Sequence, residues 1–91
     1  MVKEDVLSDI LYNLARLRKW GESHTSFDNI AKGFPKHVRG DVKKVGKYAL
    51  KKGYILSKPT SYGMGVSLNP QKSSEIKGII KRYHKDAFSH K

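Results

Sequence analysis

Apolar residues recur along this chain at two different periods, and the change from one to the other comes at Gly53. Over residues 4–20, Leu7, Ile10, Leu11, Leu14 and then Leu17 or Arg18 follow the i, i+3, i+4, i+7 rhythm of an amphipathic helix. Lys19 suits the negative C-terminal end of such a helix, and Gly21 is a fitting stop. Thr25 followed three residues later by Asp28 resembles a capping box, with Asp in place of the usual Glu. It predicts a short helix over residues 26–32 that turns Phe27, Ile30 and Ala31 inward, with a short edge strand at 22–25 before it.

Gly33, Phe34 and Pro35 break that second helix, and Pro35 suits the first position of a third, where its missing amide proton costs nothing. Residues 35–52 then carry one stripe of Val38, Val42, Val45 and Ala49, ended by Gly53. Gly40 and Gly46 each cost a helix interior roughly 1 kcal/mol against Ala. Gly46 borders the stripe, where it permits close packing. Gly40 lies opposite, where packing gives no reason for it, and a frayed start with regular helix from Asp41 is one account.

Beyond Gly53 the pattern changes to strand-like runs at 54–58 and 66–69. The glycines and hydroxyls of the seven-residue stretch 59–65 predict a protruding hairpin loop. Asn69 then Pro70 is an N-cap followed by an N1 proline, opening a fourth helix with the stripe Ile76, Ile79, Ile80 and Tyr83. That stripe can cover the domain's own core or meet a second copy. Over residues 85–91 only Ala87 and Phe88 are available to bury, so order is expected from about 5 to 84 with a frayed tail.

Ninety-one residues support one core, so the whole chain reads as a single domain of α+β class, mainly helical with a small hairpin. Nineteen Lys and Arg oppose eight Asp and Glu, a formal net charge of +11. Such an excess repels itself in the folded state and calls for a polyanionic partner, nucleic acid ahead of a membrane surface. With no cysteine there is no disulfide framework, thiolate metal site or cysteine nucleophile. No apolar run approaches the roughly 20 residues of a membrane span, and the N-terminus lacks the form of a signal peptide, which together place the chain in the cytoplasm.

The order helix, short strand, short helix, long basic helix, hairpin, helix resembles the winged helix-turn-helix family. The run K-P-T-S-Y-G at 58–63 and V-S-L-N-P at 66–70 are similar to small uncharacterised archaeal winged-helix proteins. The resemblance covers about residues 5–84 and implies a DNA-binding, transcription-regulatory domain. Its third helix would enter the major groove while its wing touches the flanking backbone. The compact, proline-bearing turn at 33–36 departs from the polar, longer turns common in that family.

At about 100° per residue, Lys36, Lys43, Lys44, Lys47 and Lys51 fall within one arc of about 100° opposite the valine stripe, with Gly40 at its centre. No acid joins them, since Asp41 falls near the core edge. Lysines locate phosphates, while base reading needs directional groups. Lys36, His37, Arg39 and Lys43 are the candidates for that role, and Arg39, the one arginine of this helix, for a guanine contact. Gly40 lets the helix approach a duplex closely. On the wing, Lys58, Thr60, Ser61 and Tyr62 can donate to phosphates, Tyr62 being equally suited to cross-strand packing, and Pro59 blocks an edge.

The four histidines, His24, His37, His84 and His90, are too scattered for a metal site, and capping explains Ser26 and Asp28 better than a triad with His24 does. Trp20 reads as a packing anchor. Neither a phosphate-binding loop nor a dinucleotide fingerprint is present, so neither enzyme activity, a cofactor nor a small-molecule substrate is expected. Duplex DNA is the expected partner, with a homodimer through the first and fourth helices as an option. RNA binding, or docking of an acidic protein, are the alternatives.

Overall fold

The structure is a computed structural model that describes residues 3–61 and 63–85. Four helices, α1 (Glu4–Arg16), α2 (Phe27–Lys32), α3 (Arg39–Lys52) and α4 (Ser73–Tyr83), accompany a three-stranded antiparallel sheet, with α1, α2 and α3 in contact with its strands and α4 packed on α1. Its strands β1 (Thr25–Ser26), β2 (Ile55–Thr60) and β3 (Gly63–Leu68) stand in the order β1-β3-β2. The expected stripes meet in a single core. Leu7, Ile10, Leu11 and Leu14 of α1, Val42, Val45 and Ala49 of α3, and Ile76, Ile79 and Ile80 of α4 are buried together with Ile55, Val66 and Leu68. Val38 is half-buried at the edge of that cluster. The α4 stripe is thus used within the chain's own core, which leaves Leu17 and Tyr83 as the large apolar side chains exposed at the ends of α1 and α4.

Helix α1 ends at Arg16 rather than near Trp20. Arg18 takes a left-handed φ of 58°, and the amides of Arg18 and Lys19 donate to the carbonyls of Ala15 and Leu14. Gly53 closes α3 in the same way at φ 80°, its own amide and that of Tyr54 donating to Leu50 and Ala49. Arg18 adopts this conformation because the next residues are claimed by the sheet: Leu68 donates to the Lys19 carbonyl at 2.7 Å and Gly21 donates to the Leu68 carbonyl at 2.9 Å. Continued helix would forfeit both bonds and leave Leu17 no more buried. Trp20, in that bridge, packs partly buried against the core, as its anchor role requires.

Several boundaries differ from expectation by one competing group. The edge strand is 25–26 rather than 22–25, and Ser26, not Thr25, caps α2 by accepting from the Asp28 amide at 3.1 Å. A 3₁₀ turn, Lys36–Val38, precedes α3, so Pro35 introduces that turn rather than the α-helix. Regular helix starts at Arg39, so Gly40 lies inside the first turn and not in a frayed lead-in. Asn69 does cap, accepting from Gln71 N–H at 3.1 Å, but the turn it opens is a 3₁₀ segment, Pro70–Lys72, and α4 follows at Ser73. The Asn69 amide also donates to the Gly53 carbonyl at 2.9 Å, joining the end of α3 to the approach to α4.

The protruding seven-residue loop is replaced by paired strands. Lys58 faces Gly65, Pro59 faces Met64 and Thr60 faces Gly63, so only residues 61 and 62 connect them. Pro59 is tolerated because β2 is an edge strand. The tail residues Ala87 and Phe88, with His90, lie outside the described residues.

The fourth helix is clasped to the first through polar contacts. Arg82 meets Glu4 at 2.6 Å, the Tyr83 hydroxyl donates to Glu4 at 3.2 Å, and the His84 ring stacks on Tyr12 with centroids 4.2 Å apart while its Nε2 reaches Asp9 at 2.8 Å.

Candidate nucleic-acid interface

Burying Val42, Val45 and Ala49 forces the opposite side of α3 outward, since a helix repeats every 3.6 residues. Lys43, Lys44, Lys47 and Lys51 are all exposed there, and Lys36 and His37 extend the row from the 3₁₀ turn. Among the described residues none of these five lysines has an ion-pair partner. Four of the acids are engaged elsewhere: Glu4 by Arg82 of α4, Asp9 by His84 just beyond that helix, Glu75 by Lys72 at 3.7 Å, and Asp41 by Lys3 at 2.9 Å.

The Lys3–Asp41 pair matters because Asp41 is the one carboxylate on α3. Its hydrogen bond from Lys3, then the charge of Lys3, holds the Asp41 carboxyl below its ordinary pKa, and Lys44 adds to the effect. The same bond raises the Lys3 ammonium. Paired with Lys3, this carboxylate forms no ion pair with the lysine row, of which only Lys44 acts on it through its charge.

Gly40 lies on the exposed side of α3, and a Cβ built on it meets no atom within 4 Å, so its absence of side chain satisfies no internal contact. Gly46 is the reverse case, buried beneath the Phe27 ring of α2.

Arg39, half-buried, has two of its guanidinium donors engaged within the chain. Its Nε donates to the Phe34 carbonyl at 3.1 Å and its Nη2 to the Lys32 carbonyl at 3.2 Å, across the turn that ends α2. The compact turn exposes helix-terminal carbonyls, and the guanidinium satisfies them.

The hairpin brings further groups. Lys58 lies on the outer face of the sheet with Leu56, Gly65 and Ser67, beside a hollow of about 240 Å³ bounded by Glu22 and His24. It is exposed, but turned from the side on which α3 packs. The Thr60 hydroxyl donates to the Gly63 carbonyl and so helps close the hairpin rather than standing free. Ser61 is exposed at the tip, and Tyr62 lies outside the described residues.

The inner face of the hairpin supplies what sequence reasoning missed. Between α2, α3 and β3 lies an open cavity of about 250 Å³ lined by Phe27, Lys43, Gly46, Lys47, Leu50 and Met64. The signals were present: Leu50 is an apolar residue on the flank of a basic helix, and Met64 stands between two glycines in a polar hairpin. Only the folded chain sets them beside each other.

Among the described residues no three His, Asp or Glu side chains gather as a metal ion would require, and no helix is long and apolar enough to cross a membrane. Comparison with models of known protein families, with curated proteins and with solved structures returned no match for this chain.

Proposed function

We propose that this chain is a winged-helix domain that binds duplex DNA, in a transcription-regulatory or architectural role without a catalytic step. In this reading α2 and α3 form the helix-turn-helix, α3 enters the major groove, and the β2–β3 hairpin is the wing beside the flanking backbone. The order α1, β1, α2, α3, β2, β3, α4 supports it, as does the three-stranded sheet with the hairpin at its end.

One observation carries the reading. Five exposed lysines on and before α3 have no ion-pair partner among the described residues, while the one carboxylate of that helix is paired with Lys3. An ordinary solvated helix face mixes signs, because like charges on one face repel. A row of uncompensated cations is favourable only against a polyanion, from which it releases condensed counterions. Lys58 adds an exposed cation on the outer face of the wing, apart from that row. Among the described residues, Leu56, Lys58, Gly65 and Ser67 bring no ring to the outer sheet face and His24, against Gly65, brings one, where stacking of successive unpaired bases needs several, which favours a duplex over a single strand.

The test is a binding titration of duplex DNA, duplex RNA and single strands at several salt concentrations. Six phosphate contacts give a slope of log affinity against log salt of about −4 to −6. A flat salt response, or a preference for RNA or for single strands, overturns the proposal.

A further inference from the structure

The apolar cavity beside α3 opens within the lysine row and belongs to no part of the core. Its floor is the Phe27 ring, which fits only because Gly46 has no side chain. Leu50 forms one wall. Met64, 42% exposed, forms the other, because the inner face of β3 continues past the last core residue, Val66, toward the hairpin tip. Lys43 and Lys47 stand at the rim, and among the described residues neither has an ion-pair partner.

These two lysines are about one helical turn apart, a rise of about 6 Å along the helix axis. That is comparable with the separation of neighbouring phosphates along one strand, so two such side chains can reach the phosphates on either side of a single nucleoside. In an intact duplex that nucleoside's base is stacked away from the protein. Unpaired, it can swing into the cavity between its own two phosphates. The volume is that of about eight water molecules at roughly 30 Å³ each, ample room for a pyrimidine ring with its substituents.

The lining also discriminates among bases. It offers ammonium donors at the rim and no carboxylate, amide or hydroxyl to accept a hydrogen bond. The exocyclic amino groups of adenine, cytosine and guanine would lose water there without replacement, which is costly. Thymine presents carbonyl oxygens to the lysines and a methyl group to Leu50, Phe27 and Met64, and its single N3–H is the one polar hydrogen left without a partner, against two or more on each of the other bases.

We propose that this cavity receives an unpaired thymine from a DNA strand held by Lys43 and Lys47, so that the domain prefers duplexes carrying an extrahelical thymine. The proposal rests on the DNA-binding reading above, and its test keeps the two apart. Three duplexes with the same paired length are titrated by fluorescence anisotropy, fully paired, with one bulged thymine, and with an abasic bulge at the same place, and a fourth with a bulged adenine serves as the base control. The abasic duplex has the same flexibility and phosphate count but nothing to insert. Binding about tenfold tighter to the thymine bulge than to the abasic bulge is expected, with a bulged adenine close to the abasic value. In the Met64→Ser variant, whose substitution is at an exposed position, the thymine-to-abasic ratio falls toward one. Equal affinity of the unmodified chain for thymine and abasic bulges overturns this inference and leaves duplex binding standing. Failure to bind any of the three in a salt-dependent manner overturns the DNA-binding reading itself.

Discussion

The ring of Phe27 lies directly over Gly46, so closely that a Cβ built there would stand 2.6 Å from the ring's Cζ. A short helix is thereby seated on a long one at a point where α3 has no side chain. Gly40, six residues earlier in the same helix, meets nothing within 4 Å.

The two glycines therefore respond oppositely to alanine. Gly46→Ala gains about 1 kcal/mol of helix propensity but must displace a partly buried aromatic ring, an overpacking cost of about 1–3 kcal/mol that can exceed the gain. A lowered thermal midpoint is expected, relieved in combination with Phe27→Leu. Gly40→Ala has no such cost and raises stability by about 0.5–1 kcal/mol. If Gly40 serves close approach to a duplex, the stabilised variant binds DNA more weakly. Unchanged affinity would show that the position has no part in binding.

Reversing two charges on the lysine row separates binding from folding. Lys43 and Lys47 are exposed and make no ion pair among the described residues. Lys43→Glu with Lys47→Glu is expected to abolish DNA binding at moderate salt while circular dichroism melting shifts little. Retained binding would place the interface elsewhere.

Arg39 gives the opposite pattern. Its two hydrogen bonds to the Phe34 and Lys32 carbonyls fasten the turn between α2 and α3. Arg39→Met is expected to lower stability by about 1–2 kcal/mol, the scale of charge-assisted bonds discounted for partial exposure. DNA affinity per folded molecule should change less than for the double lysine variant. Lost affinity at an unchanged melting temperature would instead restore Arg39 as a base contact.

The Lys3–Asp41 pair predicts a pH response of definite sign. The folded-state pKa of Asp41 is depressed, so the pair's contribution is present above the ordinary carboxyl range and fades as pH falls through the lowered value. At the alkaline end it fades again as pH rises through the raised pKa of Lys3. An NMR titration of the Asp41 carboxyl is expected to show a midpoint below about 3.9, the ordinary Asp value, moving upward in Lys3→Ala. An unmoved midpoint would mean that the carboxylate is held by something else.

How much of this could be read from residues alone depends on how local the deciding interaction is. The stripes of α1, α3 and α4 were legible because a helix repeats its own geometry, and burying one face of α3 sends Lys43, Lys44, Lys47 and Lys51 to the other. The end of α1 was not, because Arg18 turns left-handed in favour of backbone bonds to Leu68, fifty residues away. The hairpin was misjudged for a related reason. Glycines and a proline at 59–65 read as loop by local preference, yet strand pairing opposite β3 holds them extended up to Thr60. Arg39 looked available because its acceptors belong to a helix end that exists only after the turn has formed.

The sequence by itself determined the single core, the basic face of α3 and the excess of positive charge, since periodicity and composition act through neighbours along the chain. The tertiary structure alone decided where the counter-charges go and what borders the lysines. Asp41 is neutralised by Lys3 and the apolar cavity closes between Phe27, Leu50 and Met64 because packing juxtaposes groups that no helical or strand period connects.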